Sequence, residues 1–274
     1  MPDAPDPTPD PHLAETKREA AQAQAAAASR SNRNIQILAG TVFVALVAVV
    51  LVIVISGGDS GAKPDRAPKT TAETAGVAAT KQLLDGIPQD GFTLGDTKTA
   101  KLNIIEFLDV QCPFCKAHQL DQQPTVIDQL VRPGKATLTM QPVAALGEDS
   151  QKGRIVVAKI AGQNLAWDFL NLWYWNQPTE NTGYVTPTYL ASLAAATPGL
   201  TGADTSLTIT PAVKTKLAEI DAAAKALKVS QVPTFAIGKP GQPYSSYTVI
   251  DQNATSKPAG EQIVADAEKA IAES

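Results

Sequence analysis

Residues 101–110, Lys-Leu-Asn-Ile-Ile-Glu-Phe-Leu-Asp-Val, form a nearly unbroken apolar run that ends one residue before a Cys-Pro-Phe-Cys stretch. A short run of this kind is the pattern of a central strand covered on both faces. Pro113 follows at once, and proline is favoured in the first turn of a helix, where its missing N–H costs nothing. The chain therefore passes from a buried strand straight into a helix, with Cys112 at the junction. Covering both faces of such a strand calls for layers on either side, which points to an α/β fold.

The surrounding pattern agrees. A short helix is predicted over 75–84, an edge strand over Phe92 to Gly95 and a strand over Ala136 to Met140. The helix opened by Pro113 runs to about Leu130, with Pro124 set to kink or split it. One long helix is predicted from Gln151 to Trp175, with Trp167, Trp173 and Trp175 as packing anchors. Further helices cover Thr188 to Thr197 and a segment capped by Thr210 with Pro211 at its first position. Thr234 to Gly238 and Tyr247 to Ile250 read as a hairpin, and Ala259 to Ala272 as a closing helix. The order is strand, helix, strand, a helical block, then strand, strand, helix.

The chain has only two cysteines, Cys112 and Cys115, so it is no disulfide-stapled scaffold. With 23 basic and 27 acidic residues in 274, and a net charge of −4, it lacks the basic stripe of a nucleic-acid binder. At a helix start, unpaired backbone N–H groups and the helix dipole stabilise a thiolate. Cys112 is thereby the activated, attacking sulfur, and Cys115, one turn on, is placed to resolve a mixed disulfide. A metal reading could add His118 as a third ligand, but a tetrahedral structural site would still lack its fourth. His118 is read instead as a solvated helix residue, and no cofactor beyond the redox pair is expected. Glu106 interrupts the apolar strand. Flanked by Ile105 and Phe107 it is read as partly buried, which raises its pKa; the alternative is that side-chain alternation points it to a solvated face. Lys116 is either a counter-charge to Glu106 or to the thiolate, or a surface charge.

The segment from Phe107 to Lys116 resembles the active-site segment of the DsbA-like branch of the thioredoxin-fold family. Val232-Pro233-Thr234-Phe235 resembles the segment that bears that family's cis-proline. The resemblance covers roughly Leu84 to Ile271 and implies a thioredoxin fold with an inserted helical domain at about 145–228. It implies that Cys112 is the nucleophile, Cys115 the resolving thiol, and the peptide before Pro233 cis. It places Val232 against the disulfide, ready to pair with an extended substrate, so that Pro113, Phe114, Val232, Pro233 and Thr234 form the substrate-binding surface. It also gives Glu106 the role of relaying a proton to or from Cys115. One departure stands out. Strongly oxidising members of the branch carry a histidine at the second middle position, and Phe114 supplies no charge to hold the thiolate.

Ahead of this domain, residues 1–34 are rich in Pro, Ala, Asp and Gln and are expected to be a disordered cytoplasmic tail. Residues 35–56 are expected to form one transmembrane helix, since the uncharged stretch from Ile37 to Ile55 spans roughly 28 Å as a helix. Residues 57–74 read as a flexible linker and 75–274 as the folded domain. Lys17, Arg18, Arg30 and Arg33 precede the span and Lys63, Arg66 and Lys69 follow it, a slight bias toward a cytoplasmic N-terminus. An active disulfide persists on the oxidising side of a membrane. The expected function is a single-pass, membrane-anchored oxidoreductase of the cell membrane that acts on extracytoplasmic protein thiols and exchanges electrons with a membrane redox partner. A reductase or isomerase of the same fold, or a non-catalytic thioredoxin-fold binding module, are the alternatives.

Overall fold

A computed structural model describes residues 74–251 and 257–273. The expected tail and transmembrane span, and the linker up to residue 73, lie outside them. Among the described residues no helix is long and apolar enough to cross a membrane.

Among the described residues six strands, β1 (Gln89–Asp90), β2 (Thr93–Leu94), β3 (Leu102–Leu108), β4 (Ala136–Pro142), β5 (Thr234–Gly238) and β6 (Thr248–Val249), form one mixed sheet in the order β1-β2-β4-β3-β5-β6. At its centre β3 runs parallel to β4 and antiparallel to β5. Every residue of β3 and β4 is buried, as a continuous apolar run requires when both faces are covered. On one face Ile105 and Phe107 pack with Ala223 and Tyr247. On the other, Ile104 and Leu108 join the main core. The β5 strand pairs in turn with β6 (Thr248–Val249) as the expected hairpin.

Between β3 and β4 lies a helical run, 113–131, that is not uniform. It comprises α2 (Pro113–Ala117), a π turn (His118–Gln122), α3 (Gln123–Val126) and a second π turn (Ile127–Val131), preceded in the chain by α1 (Val77–Leu84). The expected split at Pro124 has a simple cause. Pro124 has no N–H for the Leu120 carbonyl, and the Gln123 N–H reaches back five residues to His118 O.

Four helices are inserted between β4 and β5: α4 (Glu148–Ala161), α5 (Ala166–Trp175), α6 (Pro187–Ala196) and α7 (Pro211–Ala226). The chain closes with α8 (Ala259–Ala272), which packs near β3 and α3. This is a thioredoxin-like α/β arrangement with a helical insertion. Thr210 caps α7 by accepting from the Val213 N–H at 3.3 Å, as its sequence position predicts.

Three expectations are corrected. The single helix over Gln151 to Trp175 is two, α4 and α5. Gly162 caps the first, and Asn164 then adopts a left-handed φ of 57°. Its side-chain oxygen accepts from the Gly91 N–H at 2.8 Å, which anchors the break. The strand at Thr93–Leu94, β2, is not at the edge, because β1 (Gln89–Asp90) folds back outside it. Gly91 opens the two-residue loop between the paired Asp90 and Thr93, and it takes a φ of 58° that few other residues accept. Finally, Trp167 and Trp173 are buried anchors as expected, but Trp175 is 40% exposed.

Candidate active site

The site begins where β3 ends. Asp109, Val110 and Gln111 turn the chain, and Cys112 caps α2 with an extended backbone (φ −69°, ψ 121°) while Pro113 occupies the first helical turn. The Cys112 sulfur accepts from the Cys115 N–H at 3.4 Å, and its thiol donates to the Val232 carbonyl at 3.7 Å. The Val232–Pro233 peptide bond is cis. Thr234 opens β5 opposite Phe107, and its hydroxyl donates to the Gln231 carbonyl at 2.7 Å. Pro113 is exposed and Phe114 is 74% exposed, so an apolar lip stands beside the sulfur.

The two thiols differ in opposite directions. The Cys112 thiol falls from an ordinary 9.0 to about 7. The largest cause is the Cys115 thiol hydrogen-bonded to it; burial opposes, while the N–H groups of Cys115 and Phe114 assist. Cys115 is fully buried, and burial first, then its bond to Cys112, push it well above 9.0. One sulfur is thus a thiolate near neutrality and the other a guarded thiol.

Glu106 lies six residues before Cys112 on the main-core face of β3, with no exposure. Both faces of the sheet are covered, so the solvated alternative does not arise. Burial lifts its carboxyl from an ordinary 4.5 to about 8, partly countered by a hydrogen bond from Gln119 Nε2 at 2.7 Å. Its other oxygen, Oε1, has no hydrogen-bond partner. Lys116 pairs with neither Glu106 nor a thiolate; its Nζ donates to the Gln177 carbonyl at 3.2 Å.

His118 is not solvated. It is 4% exposed, its ring lies 4.5 Å from that of Phe235, and one ring nitrogen shares a 2.7 Å hydrogen bond with Gln123. Residue 118 follows Cys115 by three, and positions three or four apart on a helical run share a face. Burial drives its pKa down to about 4. Among the described residues no cluster of three or more metal-ligating side chains occurs.

A family profile described as thioredoxin matches residues 89–243, more than half of the chain, and those bounds hold every residue just named. The chain belongs to the thioredoxin family. Among curated proteins none matches it. Among solved structures it is similar to oxidised BdbD from Bacillus subtilis, with a TM-score of 0.52 and 20% identity over 68% of this chain and 97% of that one. It is also similar to alpha-DsbA1 from Wolbachia pipientis, with a TM-score of 0.51 and 15% identity over 71% of this chain and 96% of that one. At such identities the likeness is one of fold.

In this thioredoxin-family protein the turn before Cys112 is tied to the insertion by buried polar residues far apart in the sequence. Asp109 is fully buried, and its carboxylate accepts from the N–H groups of Gln111, Ala145 and Leu146 and from the Ser150 hydroxyl, all within 3.0 Å. The Gln111 side chain donates to Ser150 and the Leu146 carbonyl and accepts from the Asn181 N–H. Gln177 Nε2 donates to the Gln111 carbonyl, and the Tyr174 hydroxyl to that of Asp109. Gly153 lets α4 come this close, since a Cβ there would sit 2.5 Å from Val110. The one available signal was a pair of polar residues, Asp109 and Gln111, at the end of an apolar strand.

Two titrations follow. Alkylation of reduced Cys112 by iodoacetamide is expected to rise with a midpoint near pH 7, with Cys115 unreactive in that range. Mass spectrometry of pH-quenched samples measures it, and a midpoint near 9 contradicts the assignment. The second concerns stability. Glu106 holds a proton in the fold up to about pH 8 that the unfolded chain gives up near 4.5. Its stabilising contribution is therefore complete below 4.5 and is lost as pH rises through 8. Between pH 5 and 8 the urea midpoint of the natural protein is expected to fall relative to that of Glu106→Gln. In that difference the contributions of Cys112 and His118 cancel, and a flat difference contradicts the burial of Glu106.

Proposed function

We propose that this protein is a membrane-anchored thiol–disulfide oxidoreductase whose Cys112–Cys115 pair forms disulfides in extracytoplasmic proteins. The observation that carries the proposal is the opposite tuning of the two sulfurs beside the Val232 carbonyl. A lowered Cys112 is a good leaving group and a ready nucleophile, while a raised Cys115 keeps the reduced pair from closing unassisted.

In the oxidising direction a substrate thiolate attacks Cys112 Sγ of the disulfide. The Cys112–Cys115 bond breaks, and Cys115 leaves with the electron pair and takes the proton held by Glu106. A second substrate thiolate then attacks the substrate's own sulfur in the mixed disulfide, and Cys112 departs as a thiolate. The substrate loses two electrons and the pair gains them. A membrane partner is needed to remove those electrons and restore the disulfide. The backbone of Val232, with Phe114 and Pro113 beside it, offers an extended substrate chain a polar edge and an apolar lip. The uncharged stretch within 35–56 supplies the anchor, and the catalytic domain faces the oxidising side, leaving the N-terminus in the cytoplasm.

Phe114 favours a second reading. It places no cation beside the thiolate, which stabilises the reduced form less and suits a reductase or isomerase. The reduction potential of the full chain, equilibrated in glutathione redox buffers, separates the two. A value well above about −200 mV supports disulfide formation, and one near thioredoxin's, about −270 mV, rejects it. A pair that fails to exchange with glutathione at all rejects both in favour of a binding module.

A further inference from the structure

The Glu106 carboxyl must exist in two states during catalysis, yet among the described residues it has one hydrogen-bond partner, the Gln119 amide. That partner is neutral. No cation pairs with Glu106 among the described residues, and its neighbours across the sheet are Met140 and Phe235. The titratable groups that sense its charge are Cys115 of α2 and Tyr174 of α5. From α8 the buried side chains are Gln262, Ile263, Val264 and Ala267, none of them charged. His118, next to Gln119, is occupied by Gln123 and Phe235.

A carboxylate needs a donor and a carboxylic acid needs an acceptor. A lysine at position 119 would serve only the first, and a leucine neither. A glutamine amide serves both, because rotating it by half a turn exchanges its NH2 for its carbonyl oxygen. The place of Gln119 permits that rotation. It sits in the π turn that follows α2, and it also lines a cavity of about 360 Å³ with Leu120, Asn171 and Trp175. The two groups exchanged are nearly equal in size, so the half-turn needs little room even for a residue that is only 1% exposed. π turns inside helices recur at functional positions because they redirect side chains in this way.

We propose that Gln119 is a positioning residue for the redox pair, turning its amide from donor to acceptor as Glu106 gains its proton, so that one carboxyl group serves Cys115 as both base and acid. The proposal rests on the oxidoreductase reading. As base, the Glu106 carboxylate takes the Cys115 proton; the new thiolate attacks Cys112 Sγ of a mixed disulfide, and the bound thiol leaves with the electron pair. As acid, Glu106 returns that proton when Cys115 is displaced from the disulfide.

The test uses the full chain and two reactions. One is release of glutathione from a Cys112–glutathione mixed disulfide, which needs the base. The other is opening of the Cys112–Cys115 disulfide by dithiothreitol, which needs the acid. In Gln119→Leu both states of the carboxyl lose their partner, so both reactions slow; the charge-assisted bond is the greater loss, and the ratio of release to opening at pH 7 is expected to fall about tenfold, a decade per pH unit of displaced midpoint. The pH profile of release moves upward correspondingly. In Gln119→Lys the carboxylate is held, and the ratio and the profile move the opposite way. If Gln119→Leu opens its disulfide as fast as the natural protein, the amide is a fixed donor, and if neither substitution moves the profile it is no partner to the carboxyl; either result overturns the amide exchange. Should the lysine variant not fold, carbon-13 titration of Glu106 in Gln119→Leu still decides, because an unmoved midpoint overturns the proposal. A natural protein that releases no glutathione would sink the oxidoreductase reading itself. One that releases it, with variants that match it, sinks this inference alone.

Discussion

Cys112→Ser is expected to lower thiol–disulfide exchange by on the order of 10⁴-fold, since a serine hydroxyl is essentially unionised near pH 7 and forms no disulfide. Cys115→Ser behaves differently. Its Cys112 still accepts a substrate or glutathione sulfur, but the buried hydroxyl cannot expel it, so the protein accumulates as mixed disulfides. The asymmetry follows from the geometry. Cys112 caps α2 beside the Val232 carbonyl and the exposed Phe114, whereas Cys115 is wholly covered, under the Asp109 N–H at 3.5 Å. Non-reducing electrophoresis of the two variants after mixing with a two-cysteine peptide reads both outcomes. Adducts on Cys112→Ser, or none on Cys115→Ser, would reverse the assignment of nucleophile and resolving thiol.

Asp109→Ala is expected to destabilise the domain by about 3–5 kcal/mol, the range for removing one side of a buried, charge-assisted network. The change strands three N–H groups and the Ser150 hydroxyl without an acceptor. Against a typical domain stability of about 5–15 kcal/mol, that is a third or more of the total. For a domain of this size it corresponds to a melting temperature lower by about 10 °C. Calorimetry of the two proteins checks it, and a shift under about 2 °C would mean that water replaces the carboxylate. The effect reaches beyond stability, because three of those four donors come from the start of the insertion. Freeing them lets the turn before Cys112 move away from α4, so exchange is also expected to slow.

The parts of this site that could be read from the chain are those made by neighbours in sequence. A buried strand, a proline-started helix and two cysteines one turn apart describe their own local geometry. Glu106 was legible for the same reason, as a charge inside an apolar run. The Asp109 network was not, because its other donors lie 36, 37 and 41 residues away and nothing in an Ala-Leu pair announces them. Gln119 and His118 were misjudged or missed because polar residues on a helix whose first turn is exposed are usually solvated. Here the run is buried between the sheet and α8, so that even Gly260 of α8 leaves no room for a Cβ against Gln122. The break between α4 and α5 depends on Asn164 meeting Gly91 across 73 residues, which local periodicity does not record.

The sulfur and the carbonyl that faces it are 120 residues apart in the chain, with the whole insertion between them. A ribosome delivers the N-terminal part first. A nascent chain that has emerged through β4 therefore holds both thiols while the strand that will carry the facing carbonyl has yet to be made. Long-range pairing of β5 with β3 comes late and is slow to close. During that interval the groups that acidify Cys112, the Cys115 thiol and the first N–H groups of α2, are already in the chain, but the cis-proline segment that faces the sulfur is not. The carbonyl facing the sulfur thus arrives with about the last sixth of the polypeptide, and a chain cut short after α7 would carry both cysteines without it. Since no third cysteine exists anywhere in the 274 residues, the unfinished chain also has no wrong intramolecular bond to make while it waits.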